Sequence, residues 1–285
     1  MTIREPSVTD LPEVIDNVAT WQAEGQPVQV HPGDLGWYQR FGAAALASAL
    51  RVWVLDDEIV AVGFLDESEL IRMAVSPAQA YDAPLAEAIV IDLSGALSDL
   101  LPPGKGIVEA RFGPALRNTL AEAGWTTDEP WTQLRRELSD PIPPVPLRID
   151  VVTPDRVEDR IDVEAAAFPG SSLTLERWAA MADGYAYRQA RCLVGYTETG
   201  DAAGATTVWS AGRGRPGLIE PLGVDAAYRG RGFGVAMAQA TASTLRAMGA
   251  SSVTVATPSS NTAAVATYRA AGMDSLGEVT DFRRP

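Results

Sequence analysis

Self-similarity at one fixed spacing restricts a chain to copies of one unit. Leu120-Ala121-Glu122-Ala123-Gly124-Trp125 lies 148 residues before Tyr268-Arg269-Ala270-Ala271-Gly272-Met273. The same offset of 148 carries Leu70-Ile71 onto Leu218-Ile219, and Leu134-Arg135-Arg136 onto Phe282-Arg283-Arg284. Short Ala-rich segments match by chance, but one offset held at three separated places points to a duplicated domain. Between the copies runs Ser139-Asp140-Pro141-Ile142-Pro143-Pro144-Val145-Pro146, where repeated prolines fix φ and remove backbone donors. The expected organisation is therefore residues 1–138, a linker at 139–146, and residues 147–285. At 285 residues and 46% hydrophobic content, each half has enough apolar material for its own core.

Period fixes the order of elements in the second half. Val157 to Phe168 and Thr174 to Ala182 have helical spacing, whereas Ala190 to Tyr196 and Ala205 to Ser210 read as strands around a turn at Glu198 to Gly204. Leu218 to Val224 is a further strand. Gly234 to Met248 places Met237, Thr241, Leu245 and Met248 three or four apart and stops at Gly249. Ser252 to Thr257 is a β-branched strand closed by Pro258; Asn261 or Thr262 caps a helix running to Ala271, and Gly277 to Arg283 makes a last strand. The fold class is α/β with a mixed, mostly antiparallel sheet.

Composition removes several functions. Arg4, Glu5 and Pro6 break any signal-peptide core at the start, and no apolar run is long enough to span a bilayer, so a cytoplasmic, membrane-free protein is expected. One cysteine, Cys192, and one histidine, His31, leave no metal-ligand cluster. His31 before Pro32 reads as a loop residue and Cys192 as a small core residue. The formal net charge of -14 opposes nucleic acid as a partner, because duplex binding draws on Lys and Arg contacts to phosphate. That field suits an amine-bearing substrate, although acidity also serves solubility alone.

The chemistry concentrates in Arg229-Gly230-Arg231-Gly232-Phe233-Gly234, placed between a strand and a helix. Glycines there let successive N–H groups converge on one spot, the helix start adds its positive end, and Arg229 and Arg231 add charge. A pyrophosphate suits that spot. The dinucleotide spacing fails because Val235 stands where the third glycine belongs, and Gly104-Lys105-Gly106 lacks the rest of a P-loop.

This loop resembles that of the GNAT superfamily of N-acetyltransferases, Gln/Arg-x-x-Gly-x-Gly/Ala, with Arg229, Gly232 and Gly234 in its fixed positions. Pro221-Leu222-Gly223-Val224-Asp225 resembles the family strand that pairs with acetyl-pantetheine, and Asn261 to Met273 resembles its last helix. The resemblance covers about Leu147 to Pro285, and the paired arrangement is similar to tandem members such as mycothiol synthase. It implies two GNAT-like domains, acetyl-CoA as cosubstrate, and cofactor contacts from Leu222, Val224, Arg229 to Gly234, and Asn261.

Roles follow from the reaction. An amine with a pKa of about 10.4 must lose a proton before it attacks a thioester. Glu220, on the same strand face as Leu222, is the expected base or water anchor, against the plainer role of a solvated strand carboxylate. Backbone N–H groups near Leu222 to Val224 would hold the oxyanion if the strand splays, and Pro221 favours an interruption there. By family position Tyr268 is the acid that protonates the departing thiolate. Asn261 and Tyr268 are seven apart and so are expected on one helix face. Phe168, Glu176 and Trp178 fall where acceptor-binding helices lie in the family; packing for the aromatics and a solvated face for Glu176 are the plainer readings.

Shifting the loop back by 148 gives Tyr81-Asp82-Ala83-Pro84-Leu85-Ala86, without a glycine, and Leu120 stands where Tyr268 does. The first half is therefore expected to be a noncatalytic partner that closes the acceptor cleft or builds an interface, unless it binds a different ligand. The expected function is acetyl transfer to a small-molecule primary amine. An acyl-CoA sensor without transfer, and a protein N-acetyltransferase, are the competing readings.

Overall fold

The computed structural model describes all residues 1–285. The first half runs β1 (Thr2–Arg4), α1 (Leu11–Thr20), α2 (Pro32–Tyr38), α3 (Ala43–Ala49), β2 (Leu50–Leu55), β3 (Glu58–Glu67), β4 (Leu70–Val75), α4 (Ala83–Ser94), β5 (Ile107–Glu109), α5 (Pro114–Glu122) and β6 (Thr126–Glu137). The second runs β7 (Arg148–Val151), α6 (Val157–Ala167), α7 (Leu175–Ala182), β8 (Ala190–Tyr196), β9 (Ala202–Trp209), β10 (Gly217–Val224), α8 (Phe233–Met248), β11 (Ser252–Pro258), α9 (Thr262–Ala270) and β12 (Asp274–Arg283). Apart from one extra short helix in the first half, the two lists match. The offset of 148 lays α5 on α9 residue for residue. No helix is long and apolar enough to cross a membrane.

All twelve strands form one sheet, in the order β1-β2-β3-β4-β5-β12-β6-β11-β10-β9-β8-β7. Exchanging each strand for its counterpart in the other half and reversing the order returns the same order. The halves are thus related by an internal two-fold whose centre lies between β6 and β12. Each half also gives its last strand to the other: β12 sits between β5 and β6, while β6 pairs with β11 over seven residues. Leu134 and Phe282, counterparts at the repeat offset, are each buried in the opposite half's core. Two bodies joined only by a linker at 139–146 would need separate sheets, and the strand exchange replaces that picture. Ile142 and Val145 of the linker pack on the second-half core.

Most second-half elements fall within one to three residues of the sequence reading. The largest shifts are at the starts of β12, which begins at Asp274 instead of Gly277, and of β9, which begins at Ala202 and absorbs residues expected in the turn. Gly204 lies inside that strand because Met237 of α8 packs against it, where an added Cβ would stand 2.7 Å from Met237 Cγ.

A mixed core ties the halves together on one face of the sheet, joining Leu35, Phe64 and Ala74 to Met181, Trp209 and Leu218. Here α2 lies flat on Trp209. An added Cβ at Gly33 would sit 2.5 Å from Trp209 Cγ, and one at Gly36 would sit 2.7 Å from Trp209 Cη2. His31 caps α2: its Nδ1 accepts from Gly33 N at 2.9 Å, which leaves Nε2–H to donate to Pro216 O at 3.2 Å. Burial holds the imidazole neutral, its pKa pushed down to about 4. Gly36→Val is expected to destabilise the chain by about 1–3 kcal/mol, the range for overpacking a filled contact. Chemical denaturation measures it, and an unchanged midpoint would show that the α2 contact with Trp209 yields freely.

Candidate active site

The parallel pair β10–β11 is bonded only at Gly217–Leu218 opposite Val253–Thr254, after which the strands part. On its other edge β10 stays paired with β9, with a register shift between Ile219 and Leu222 that brackets Pro221. Asp225 N–H bonds Ala203 O of β9, so strand alternation turns the N–H groups of Leu222 and Val224 the other way, into the gap. A strand interrupted by a proline thus presents unpaired donors to an open wedge, the arrangement an oxyanion requires.

A cavity of about 450 Å³ fills that wedge, walled by Leu222 and Val224 of β10, the Arg229 to Gly234 loop, Thr267 and Tyr268 of α9, and Phe168. The loop suits a pyrophosphate on its own geometry. Gly230 and Gly232 have φ of +74° and +80°, a region costly for residues with a Cβ, and an added Cβ at either meets nothing within 4 Å. The first bond of α8 is donated by Ala236 to Gly232 O, leaving the N–H groups of Phe233, Gly234 and Val235 without backbone acceptors. Gly234 also admits α9, since a Cβ there would touch Thr267 Cγ2 at 3.0 Å.

Other expected residues are placed differently. Arg229 lines the cavity and donates to Ala167 O at 2.8 Å, tying the loop to the end of α6. Arg231 turns to the neighbouring cleft and lies over the Tyr228 ring at 5.2 Å. Asn261 precedes α9 and caps it, with Oδ1 accepting from Ala264 N at 3.2 Å; it is exposed and off the cavity wall, so it does not share a helix face with Tyr268. Phe168 reaches the cavity by closing against Gly223. Trp178 packs on Tyr187 within the core, and Glu176 is exposed. Cys192 is buried and accepts from Arg160 Nε at 3.3 Å.

Glu220 and Tyr268 share one electrostatic environment. Burial raises the Tyr268 phenol above its ordinary value, the Glu220 charge adds to the effect, and the hydroxyl has no hydrogen-bond partner in the chain. The Glu220 carboxyl is pushed up to about 8, first by desolvation and then by the charge of Asp34, with Arg72 and Arg40 opposing. Three of those neighbours come from elements the sequence did not connect to the site. Asp34 lies on α2, Arg72 on β4, and Arg40 just beyond α2. Arg72 bonds Asp34 at 2.9 Å and Asp66 at 3.3 Å and pairs with Glu109 at 3.0 Å; Arg111 joins Glu109 to Asp281.

The corresponding crevice of the first half is closed. Val75, Leu85, Ala86 and Leu116 crowd it and leave no room for a water molecule. Asp82 caps α4, its carboxylate accepting from Leu85 N at 2.9 Å, so a side chain already takes the helix start.

Residues 158–273 match the acetyltransferase (GNAT) family model. A search of curated proteins returned no significant match. Among solved structures, a GCN5-related N-acetyltransferase from Sphaerobacter thermophilus superposes with a TM-score of 0.59 at 20% identity, over 100% of this chain and 96% of that one. A GNAT-family acetyltransferase from Colwellia psychrerythraea gives 0.61 at 14% identity, with both chains fully covered. A tandem GNAT protein from the clavulanic acid biosynthesis pathway gives 0.57 at 15%, over 96% and 93%. At these identities the likeness is one of fold, and it spans both halves. The splayed strand, the open glycine loop and the match to the acetyltransferase (GNAT) family model fall on the same residues of the second half, and the likeness of fold to GNAT structures, a tandem one among them, spans both halves.

Proposed function

We propose that residues 147–285 transfer an acetyl group from acetyl-CoA to the primary amine of a small molecule by direct attack, while residues 1–138 act as a noncatalytic wall of the acceptor side. One observation carries this reading: a single crevice runs from the free N–H groups at the start of α8, past the inward N–H groups of Leu222 and Val224, to Tyr268. Pyrophosphate, thioester carbonyl and leaving sulfur each meet the group their chemistry needs.

In this reading Gly230 to Val235 hold the pyrophosphate by backbone donors and the helix dipole, and Val224 and Leu222 fix the acyl arm. Leu222 N–H and Val224 N–H stabilise the charge that grows on the carbonyl oxygen. Glu220, as carboxylate, takes the ammonium proton directly or through water. Tyr268 donates toward the departing sulfur and, held above its ordinary pKa, stays protonated in any practical buffer. Above its pKa the Glu220 carboxylate adds its charge to that of nearby Asp34 and Asp66, which favours a cationic acceptor. A small acceptor is favoured, because α2 packs on Trp209, whose Nε1 donates to Glu220 O, and so crowds the surroundings of Glu220.

An acceptor panel with detection of released thiol tests the activity. Acetyl-CoA binding without thiol release for any amine would leave a sensor, and acetylation confined to peptides would leave a protein acetyltransferase. The pH profile tests the base. A carboxyl with a pKa of about 8 is half in its basic form at that value and mostly so about one unit above it, so kcat/KM should rise with pH, reach half its plateau near 8 and level off above it. Glu220→Gln should remove that rise, costing at least about tenfold at pH 9 and little at pH 6. A rise that survives the substitution would assign deprotonation elsewhere.

A further inference from the structure

The repeat offset gives Glu220 a counterpart in the first half, and that counterpart is Arg72. Duplication has left a carboxylate at one copy of this strand position and a guanidinium at the other. Arg72 is largely buried, and its three carboxylate contacts come from three elements: Asp34 on α2 at 2.9 Å, Asp66 on β3 at 3.3 Å and Glu109 on β5 at 3.0 Å. Asp34 is the strategic one. It holds His31 N with its other oxygen at 2.6 Å, at the start of the helix that packs on Trp209, and Trp209 Nε1 in turn donates to Glu220 O at 2.7 Å. A continuous set of contacts thus joins the Arg72 guanidinium to the backbone of Glu220, crossing from one half to the other.

We propose that the first half is a working part of the active site: Arg72 is a positioning residue that, through Asp34, sets how readily Glu220 takes up and gives back a proton. This rests on the assignment of Glu220 as the base, but it makes a separate statement about the resting protein. The charged groups facing Glu220 are Asp34 from α2, Arg40 beyond it, Asp66 from β3 and Arg72 from β4, with Tyr268 on the α9 side. Asp34 and Asp66 oppose a charge on Glu220, whereas Arg72 and Arg40 favour it. Arg72 acts twice, as a cation near Glu220 and as the partner that keeps Asp34 seated.

The test titrates Glu220 in the full-length chain by carbon NMR with carboxyl-labelled glutamate, its signal identified by its loss in Glu220→Gln. No substrate is needed. Asp34→Asn keeps the shape of the side chain and one of its two acceptor oxygens and removes one like charge, so the Glu220 midpoint should fall by at least about half a pH unit. Arg72→Met should move it the other way, and Arg72→Lys should lie between that variant and the parent. If Arg72→Met does not fold, Asp34→Asn and Arg72→Lys carry the comparison. The pH rise in kcat/KM should move with the midpoint, while acetyl-CoA affinity stays within about twofold, because that crevice shares no residue with the network. A midpoint unmoved in folded Asp34→Asn and Arg72→Lys overturns the proposal. Movement of the midpoint with no matching change in the activity profile leaves the coupling standing and removes Glu220 as the base.

Discussion

Gly232→Asp is expected to abolish measurable acetyl-CoA binding while the protein remains folded. Gly232 sits at φ +80° immediately before α8, with open space where its Cβ would be. The new side chain therefore meets no clash, and its cost to the fold is the left-handed backbone, about 1–2 kcal/mol. The effect on the ligand is larger. A carboxylate at the start of α8 caps the N–H groups otherwise free for a pyrophosphate and places like charge beside it. A loss of at least about 100-fold in Kd, or ~2.7 kcal/mol, is expected. Asp82 already makes this arrangement in the first half, where it caps α4 and the crevice behind it is crowded. Calorimetry should accordingly give one site per parent chain and none in Gly232→Asp. Half of the binding remaining would reveal a second site in the first half, and unchanged binding would move the pyrophosphate off this loop.

The parts of the site legible in the sequence were those made by consecutive residues. The glycine loop, the Pro221 interruption and the Tyr268 helix each carry a local signal, because positive φ, a missing donor or a helical period is a property of a few neighbours. Asn261 misled for an equally local reason: seven residues is a valid helical spacing only if both ends lie in the helix, and Asn261 is spent on capping it. Arg231 and Arg229 look alike in the loop, yet the turn between them sends only Arg229 to the cavity.

What the sequence left hidden depends on contacts between distant segments. The offset that revealed the duplication is silent on whether each copy keeps its own last strand, since β6 and β12 have the same pattern whichever neighbour they join. Leu134 and Phe282 are apolar either way; only the fold shows that they have changed places. The network of Arg72, Asp34, Asp66 and Glu109 is spread over 76 positions, and isolated charges usually belong to solvated faces. A retrospective signal was present, because Arg72 is the offset partner of Glu220 and lies between the hydrophobic residues of a buried strand.

Tyr268→Phe is expected to lower kcat about 100-fold and leave the Kd for acetyl-CoA unchanged. The ring belongs to the second-half core and is 8% exposed, while its hydroxyl bonds nothing in the chain. Removing the hydroxyl thus preserves the packing and strands no partner. Its value appears only when the carbon–sulfur bond breaks and charge gathers on sulfur. A thiol of ordinary pKa is near 8.5, whereas burial and Glu220 hold the Tyr268 phenol above 10, so complete proton transfer from Tyr268 is uphill. Tyr268 therefore stabilises the sulfur chiefly as a hydrogen-bond donor, which places the effect at the lower end of the 10²–10⁴ range for acid catalysis. The penalty should not fade as the buffer is made more alkaline, because the donor remains protonated throughout. Rates measured from pH 6 to 9 at saturating acetyl-CoA check both points. A variant as fast as the parent would mean that the thiolate departs unaided, and a loss confined to acetyl-CoA affinity would make Tyr268 a wall of the crevice instead of its donor.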